Sequence, residues 1–169
     1  DVYKRQTHII GSDTTVTDYC GNVIYENGIP VKLLTEAGYV TLADSKYHYF
    51  VQDHLGNNRV VVDQSGNVEE VNHYYPFGGL LSSSVSNAVQ PYKYNGKELD
   101  RKNGLDWYDY GARMYDAALG RWHAVDPMSE KYYSISSYVY GLNTPHNCID
   151  PDGQKIIFVN GYLGFGSPR

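Results

Sequence analysis

Two aspartates in matching contexts are the residues of this sequence best suited to chemistry. Asp126 stands before Pro127, and Asp150 stands before Pro151 in Asp150-Pro151-Asp152-Gly153. Two carboxylates brought side by side divide the work of peptide hydrolysis. The ionised one takes a proton from water and the protonated one donates to the reacting group. Their mutual repulsion separates their pKa values and sustains that division. The proline after each aspartate fixes its own φ and keeps the preceding residue extended, so each carboxylate projects from a stiff backbone. The chain between them is long enough for two hairpin-like passes that return the second aspartate beside the first. Asp-Pro-x-Gly is also an ordinary turn signal. Residue types alone therefore leave both a carboxylate pair and two structural turns open. Arg121, in Leu119-Gly120-Arg121-Trp122, is a candidate charge partner that keeps one carboxylate ionised.

Other polar groups offer less. His123 lies near Asp126 and His146 near Cys148, yet neighbours in sequence seldom reach nucleophile–base geometry. The six histidines show no ligand spacing, and Cys20 and Cys148 lack the paired spacing of a zinc or redox motif. No metal or cofactor is expected, and the two cysteines read as unpaired, partly buried thiols, with a disulfide between them as the alternative. Asp13, Asp18, Asp53 and Asp63 read as turn-capping residues rather than calcium ligands.

The elements that must position the aspartates are β-strands. The chain has 169 residues, 18 of them tyrosine and 17 glycine, with a net charge of −5. Tyrosine favours strands and suits a half-exposed sheet. The acidic balance argues against a nucleic-acid or anionic-membrane surface. No apolar run approaches the roughly 20 residues of a membrane span. No signal peptide is visible and the first residue is Asp, so the chain reads as a piece of a longer polypeptide, with residues 1–6 set aside from the fold argument as a candidate cloning or sequencing scar. Asn27-Gly28 between two apolar runs predicts a hairpin. The pattern Asp-x-x-Gly-Asn starts at Asp18, Asp53 and Asp63, the last two separated by one strand plus one turn. Repeated strand–turn units cannot bury a face alone, so they stack into an extended sheet. Residues 81–89 read as an exposed loop. Trp107, Tyr110 and Tyr115 are expected to anchor a core, and Ser129 to open a short helical turn. The fold class is mainly β with little helix.

Several motifs together resemble the Rhs repeat-associated core domain. They are Tyr94-Asn95-Gly96-Lys97-Glu98, the run from Gly104 to Asp116, Leu119-Gly120-Arg121-Trp122, Asp126-Pro127, Tyr140-Gly141-Leu142-Asn143-Thr144-Pro145 and Asp150-Pro151-Asp152-Gly153. The segments at Asp53 and Asp63 resemble YD repeats, and the flavour is that of Bacteroidetes proteins. The resemblance implies a β-cocoon shell built of YD/Rhs repeats and ending in the core domain. It divides the chain into N-terminal β repeats (1–45), YD-repeat strands and loop (46–90), core domain (91–153) and the start of a truncated effector (154–169). It implies that Asp126 and Asp150 form an intramolecular aspartyl protease dyad and that the cut falls between Gln154 and Lys155. The partners it implies are the chain's own C-terminal toxin, an immunity protein and secretion-system components, in an exported bacterial protein of interbacterial competition. A non-enzymatic β scaffold or surface-adhesion fragment is the alternative. Two positions depart from the family pattern: Ser129 stands where the first motif has glycine, and Gln154 where an apolar residue is common. In the tail, Ile156 to Val159 reads as a strand and Asn160-Gly161 as a turn. The pair resembles the first strand and oxyanion loop of lipase-like hydrolases, but the chain has no G-x-S-x-G elbow.

Overall fold

The computed structural model describes residues 4–84, 90–131 and 133–159. Part of the 81–89 loop and the turn expected at Asn160-Gly161 lie outside the described residues. The chain divides into two compact units, Asp1–Val51 with Val60–Val71, and Gln52–Arg59 with Asn72–Arg169. Apart from short 3-10 turns the described elements are strands, and no helix among them is long and apolar enough to cross a membrane.

The first unit carries an antiparallel meander in which each strand pairs with the next in the chain. Its strands are β1 (Lys4–Ile10), β2 (Asp13–Cys20), β3 (Val23–Glu26), β4 (Ile29–Thr35), β5 (Gly38–Thr41), β6 (Lys46–Gln52), β7 (Asn58–Asp63) and β8 (Val68–Val71). The β3–β4 hairpin turns on Asn27 and Gly28, whose φ values of 50° and 80° match the right-handed twist of the flanking strands. Gly38 is required by contact: a Cβ there would meet the His48 backbone oxygen at 1.9 Å. Tyr39 stacks on His48 with ring centroids 4.4 Å apart. His48 is tied by Nδ1 to Glu69 (2.6 Å) and by Nε2 to Thr41 (2.9 Å).

The Asp-x-x-Gly-Asn pattern makes the same turn twice. Asp53 Oδ1 accepts from the amides of Leu55 (3.0 Å) and Asn57 (3.1 Å), and Oδ2 accepts from Asn57 Nδ2 (2.9 Å). Asp63 repeats this on Ser65, Asn67 and Asn67 Nδ2, each at 2.8 Å. Asp18 differs: it lies inside β2 and pairs with Arg5 across the β1–β2 ladder, Nε to Oδ1 at 2.6 Å. A two-residue turn at Gly21-Asn22 already closes the β2–β3 hairpin, so the aspartate is left to face the neighbouring strand.

The second unit holds a small antiparallel sheet in the order β12-β11-β10-β9, from β9 (Glu98–Asp100), β10 (Trp107–Asp109), β11 (Met114–Asp116) and β12 (Arg121–Trp122). Beyond it lies a hairpin of β13 (Cys148–Ile149) and β14 (Ile157–Phe158). The core is aromatic: Tyr94, Tyr108, Tyr110, Tyr115, Trp122 and Tyr140 are each 3% exposed or less. Of the expected anchors, Tyr110 and Tyr115 are in this core, but Trp107 is half-buried against His123 and Tyr108 takes the inward place. Strand alternation explains this, since 108 and 110 share a face that 107 does not.

Buried phenols need acceptors. Tyr94, Tyr115 and Tyr108 donate to three successive carbonyls, those of Pro76 (3.0 Å), Phe77 (2.8 Å) and Gly78 (2.9 Å). Tyr110 and Tyr140 both donate to Asn95 Oδ1, at 2.7 and 2.5 Å. Asn95 Nδ2 in turn donates to the Leu55 carbonyl (2.9 Å), from a left-handed backbone (φ 49°) that asparagine tolerates. Burial pushes the Tyr94 phenol up to about 12, so these groups are donors at any ordinary pH. Asn95→Ala should cost about 2 kcal/mol, because the Tyr110 and Tyr140 hydroxyls are left with only each other (3.1 Å) and the Leu55 carbonyl loses its donor. Tyr140→Phe, which removes one donor, should cost about 1 kcal/mol. Urea midpoints of the two variants check the ratio.

Candidate functional site

Asp126 and Asp150 meet at one guanidinium, that of Arg113. The nitrogen Nη2 of Arg113 donates to Asp126 Oδ2 at 3.1 Å and to Asp150 Oδ2 at 3.2 Å. The two carboxylate oxygens are therefore no further apart than those two bonds laid end to end. Arg113 Nε donates to the Gly153 carbonyl at 2.5 Å, and Nη1 to the Ser137 carbonyl at 3.2 Å. The guanidinium also lies over the face of Trp122, 4.2 Å from its centroid. Its side chain is 2% exposed, that of Asp150 1% and that of Asp126 12%.

Local structure brings each group in. Arg113 comes after the turn that ends β10, one residue before β11, where the alternation that buries Tyr115 also points Arg113 inward. Asp126 is held by its own amide on the Ser137 carbonyl (3.1 Å), while its Oδ1 accepts from the Met128 amide (2.7 Å). The chain then continues into a 3-10 turn at Ser129–Lys131, with the Ser129 amide on the Asp126 carbonyl (3.0 Å). No left-handed residue is needed there, which accounts for serine at 129. The second motif bends differently. Gly153 has φ 78°, and a Cβ on it would stand 3.0 Å from the Arg113 amide nitrogen. Glycine is required at that point.

Asp150 sits in the loop between β13 and β14 and folds its carboxylate over the backbone C-terminal to it. Its Oδ1 accepts from the amides of Gly153 (2.8 Å), Gln154 (3.0 Å) and Lys155 (3.2 Å). Asp152 Oδ1 accepts from the same Gln154 and Lys155 amides, at 3.1 and 3.2 Å. Lys97 Nζ donates to the Pro151 carbonyl at 2.5 Å and lies over Tyr110. Burial raises the Asp150 carboxyl above the ordinary aspartate range, against the pull of the Lys155 amide, Arg113 and the other amides. Burial likewise lowers Lys97, against the nearby Asp150, Asp109 and Asp152.

The arrangement corrects one expectation. Arg121 is exposed on β12, and the cation between the aspartates is Arg113. The residue before Trp122 lies on β12 and the residue under its ring in the turn before β11, which linear proximity could not separate. One signal could have found Arg113: a lone cation among inward-facing aromatics must meet anions. Lys97 carried no such signal. The other candidates fall apart. His123 faces Asp116 (3.7 Å), Cys148 Sγ contacts Thr144 Oγ1 (3.5 Å), and the His146 carbonyl accepts from His54 (3.3 Å). Cys20 and Cys148 are free thiols. No group of metal-ligating side chains occurs among the described residues. Pro127 and Pro151 are exposed at the outer side of their turns.

The buried Asp150 gives a pH signature. Its folded pKa is raised, so as pH rises the unfolded chain ionises this group first and folding stability falls until the folded pKa is passed. Asp150→Asn removes that dependence. The melting temperature of the wild type relative to Asp150→Asn should therefore fall as pH is raised from the ordinary aspartate range upward, measured by thermal denaturation across that window.

Comparison with known proteins agrees with this architecture. The Teneurin YD-shell family profile matches residues 35–145. Salivary gland surface protein 1 of Aedes aegypti is 33% identical across 98% of this chain and 6% of its own length. Toxin subunit YenC1 of Yersinia entomophaga is 29% identical across 89% of this chain and 16% of its own. The crystal structure of TcdB2-TccC3 superposes with a TM-score of 0.69 at 21% identity, covering 88% of this chain and 8% of that one, a likeness of fold. The chain thus spans between 6% and 16% of the length of these two curated relatives. With the profile matched from β5 through the whole aromatic core, the chain belongs to the YD-shell family of Rhs/YD-repeat proteins.

Proposed function

We propose that this chain is the closing part of a toxin shell that cuts itself once, between Gln154 and Lys155, through Asp126, Asp150 and Arg113. The observation that carries the reading is the convergence of both Asp-Pro aspartates on one buried guanidinium, beside the backbone just past the second motif. Arg113 holds the Gly153 carbonyl and so fixes the strand entering the bond to be cut. Asp150 lies against the Lys155 amide, the nitrogen that leaves, and its raised pKa suits a proton donor. Arg113 offsets the repulsion of two carboxylates in one site and attracts the negative charge that develops on the attacked carbonyl. The balance closes without another reactant. Water bonds to the Gln154 carbonyl carbon and loses a proton to one carboxylate. The other carboxyl protonates the Lys155 nitrogen, and the C–N bond breaks to an acid and an amine.

The toxin context rests on relatives named as toxin subunits, such as YenC1, and on the fold shared with TcdB2-TccC3. In this reading the segment beyond Lys155 begins a toxin enclosed by the shell, exported and neutralised in the producer by an immunity protein. A second reading has its own support. Asp150 caps successive amides much as Asp53 and Asp63 do, and one relative is a surface protein, so the same residues also suit an uncut scaffold.

Intact mass of the full-length protein, purified at neutral pH, separates the two. Self-cleavage predicts wild type split after Gln154. Asp126→Asn, Asp150→Asn and Arg113→Met should remain whole, slowed by about 100-fold or more. A folded wild type that stays in one piece selects the scaffold.

A further inference from the structure

A notch of about 10 Å³ opens beside Asp126, walled by Ser129, Ser136 and Ser137 on its polar side and by Ile135, Val139 and Ile156 on its apolar side. That is room for one water molecule, and a water needs two or more polar partners to stay. The walls are tied to the carboxylate they surround. The Ser137 carbonyl accepts both the Asp126 amide and Arg113 Nη1, and the Ser129 amide donates to the Asp126 carbonyl. Ile156 lies just before β14, beyond the bond between Gln154 and Lys155. The notch therefore lies between one aspartate and the segment that would be cut away. Asp150 does not line it and is sealed at 1% exposure, whereas Asp126 keeps 12%.

We infer that this notch seats the attacking water, which makes Asp126 the base and leaves Asp150 as the acid, with Ser129, Ser136 and Ser137 as positioning residues. The inference rests on the self-cleavage reading and assigns unequal roles within it. The water gives one proton to Asp126 as its oxygen bonds to the Gln154 carbonyl carbon. Asp150 passes its proton to the Lys155 nitrogen as the C–N bond breaks. Asp126 ends protonated and Asp150 ionised, and solvent restores both. Asp126 Oδ2 is committed to Arg113 and Oδ1 to the Met128 amide, but each oxygen retains a second lone pair for the water.

The test uses the full-length protein and fills the notch from two sides. Ser137→Val and Ser129→Val keep the backbone bonds and add methyl groups into the space. Each should slow cleavage by about 100-fold, the share that base-assisted delivery carries, with melting temperature close to wild type. The alanine variants, which leave the space open but remove one hydroxyl that positions the water, should cut at rates between those of the valine variants and wild type. A second measurement reads the site directly. Cleavage in hydroxylamine should leave a hydroxamate on the new C-terminus to a greater extent in Ile156→Ala, whose enlarged notch admits the bulkier nucleophile, than in wild type. Valine variants that cut at the wild-type rate, or an unchanged hydroxamate fraction, overturn the water site while Asp126→Asn and Asp150→Asn still block the cut. A wild type that never cuts overturns both readings.

Discussion

A guanidinium withdrawn from water is the constraint on which the second unit depends. Taking such an ion out of water costs several kcal/mol even after relaxation, unless opposite charge and hydrogen-bond acceptors replace the solvent. Arg113 meets that demand with two carboxylates, two carbonyls and the face of an indole. Those partners come from four separate stretches of chain: β12, the Asp126 turn, the segment at Ser137 and the loop after β13. Each is short, and strands of two or three residues are marginal alone. The buried cation gives them a common destination. Removing one partner leaves charge without compensation, which is why such sites resist piecemeal change.

Tyrosine does the corresponding work in the core. A leucine core of equal volume would bury comparable area but would leave the loop at 76–78 with three unpaired carbonyls. The phenols of Tyr94, Tyr115 and Tyr108 supply apolar bulk and a directed donor at once. This accounts for a fold with so little regular secondary structure around the site: side chains satisfy backbone groups that a ladder would otherwise satisfy.

Much of this was legible beforehand, for identifiable reasons. The strands of the meander arise from apolar runs between glycine-containing turns, and the Asn27-Gly28 hairpin from the need for two left-handed residues. The two aspartates stood out because proline stiffens both. The partner cation did not, because the choice between Arg113 and Arg121 depends on which residues of adjacent short strands face inward, and turns at Gly111 and Gly120 reset that alternation. Asp18 misled for a related reason: the motif that caps a turn at Asp53 and Asp63 is displaced there by a tighter turn, and local spacing cannot reveal a cross-strand arginine. The Asn95 hub was invisible, since its partners lie on the distant turn at Leu55 and at two separate points, Tyr110 and Tyr140, later in the chain.

The hairpin of β13 and β14 bears on the fate of the C-terminal segment if the chain between its strands is broken. The two strands share only two paired positions, with one further bond from the Val159 amide to the Asn147 carbonyl (2.7 Å). While the backbone is continuous, a short loop holds the strands at an effective concentration on the order of millimolar or more, and weak pairing suffices. Once the loop is severed, the same few bonds must hold a separate molecule against dilution, which so small an interface does poorly. The strand beyond the loop is thus retained by connectivity rather than by affinity, and any longer residence near the shell depends on confinement.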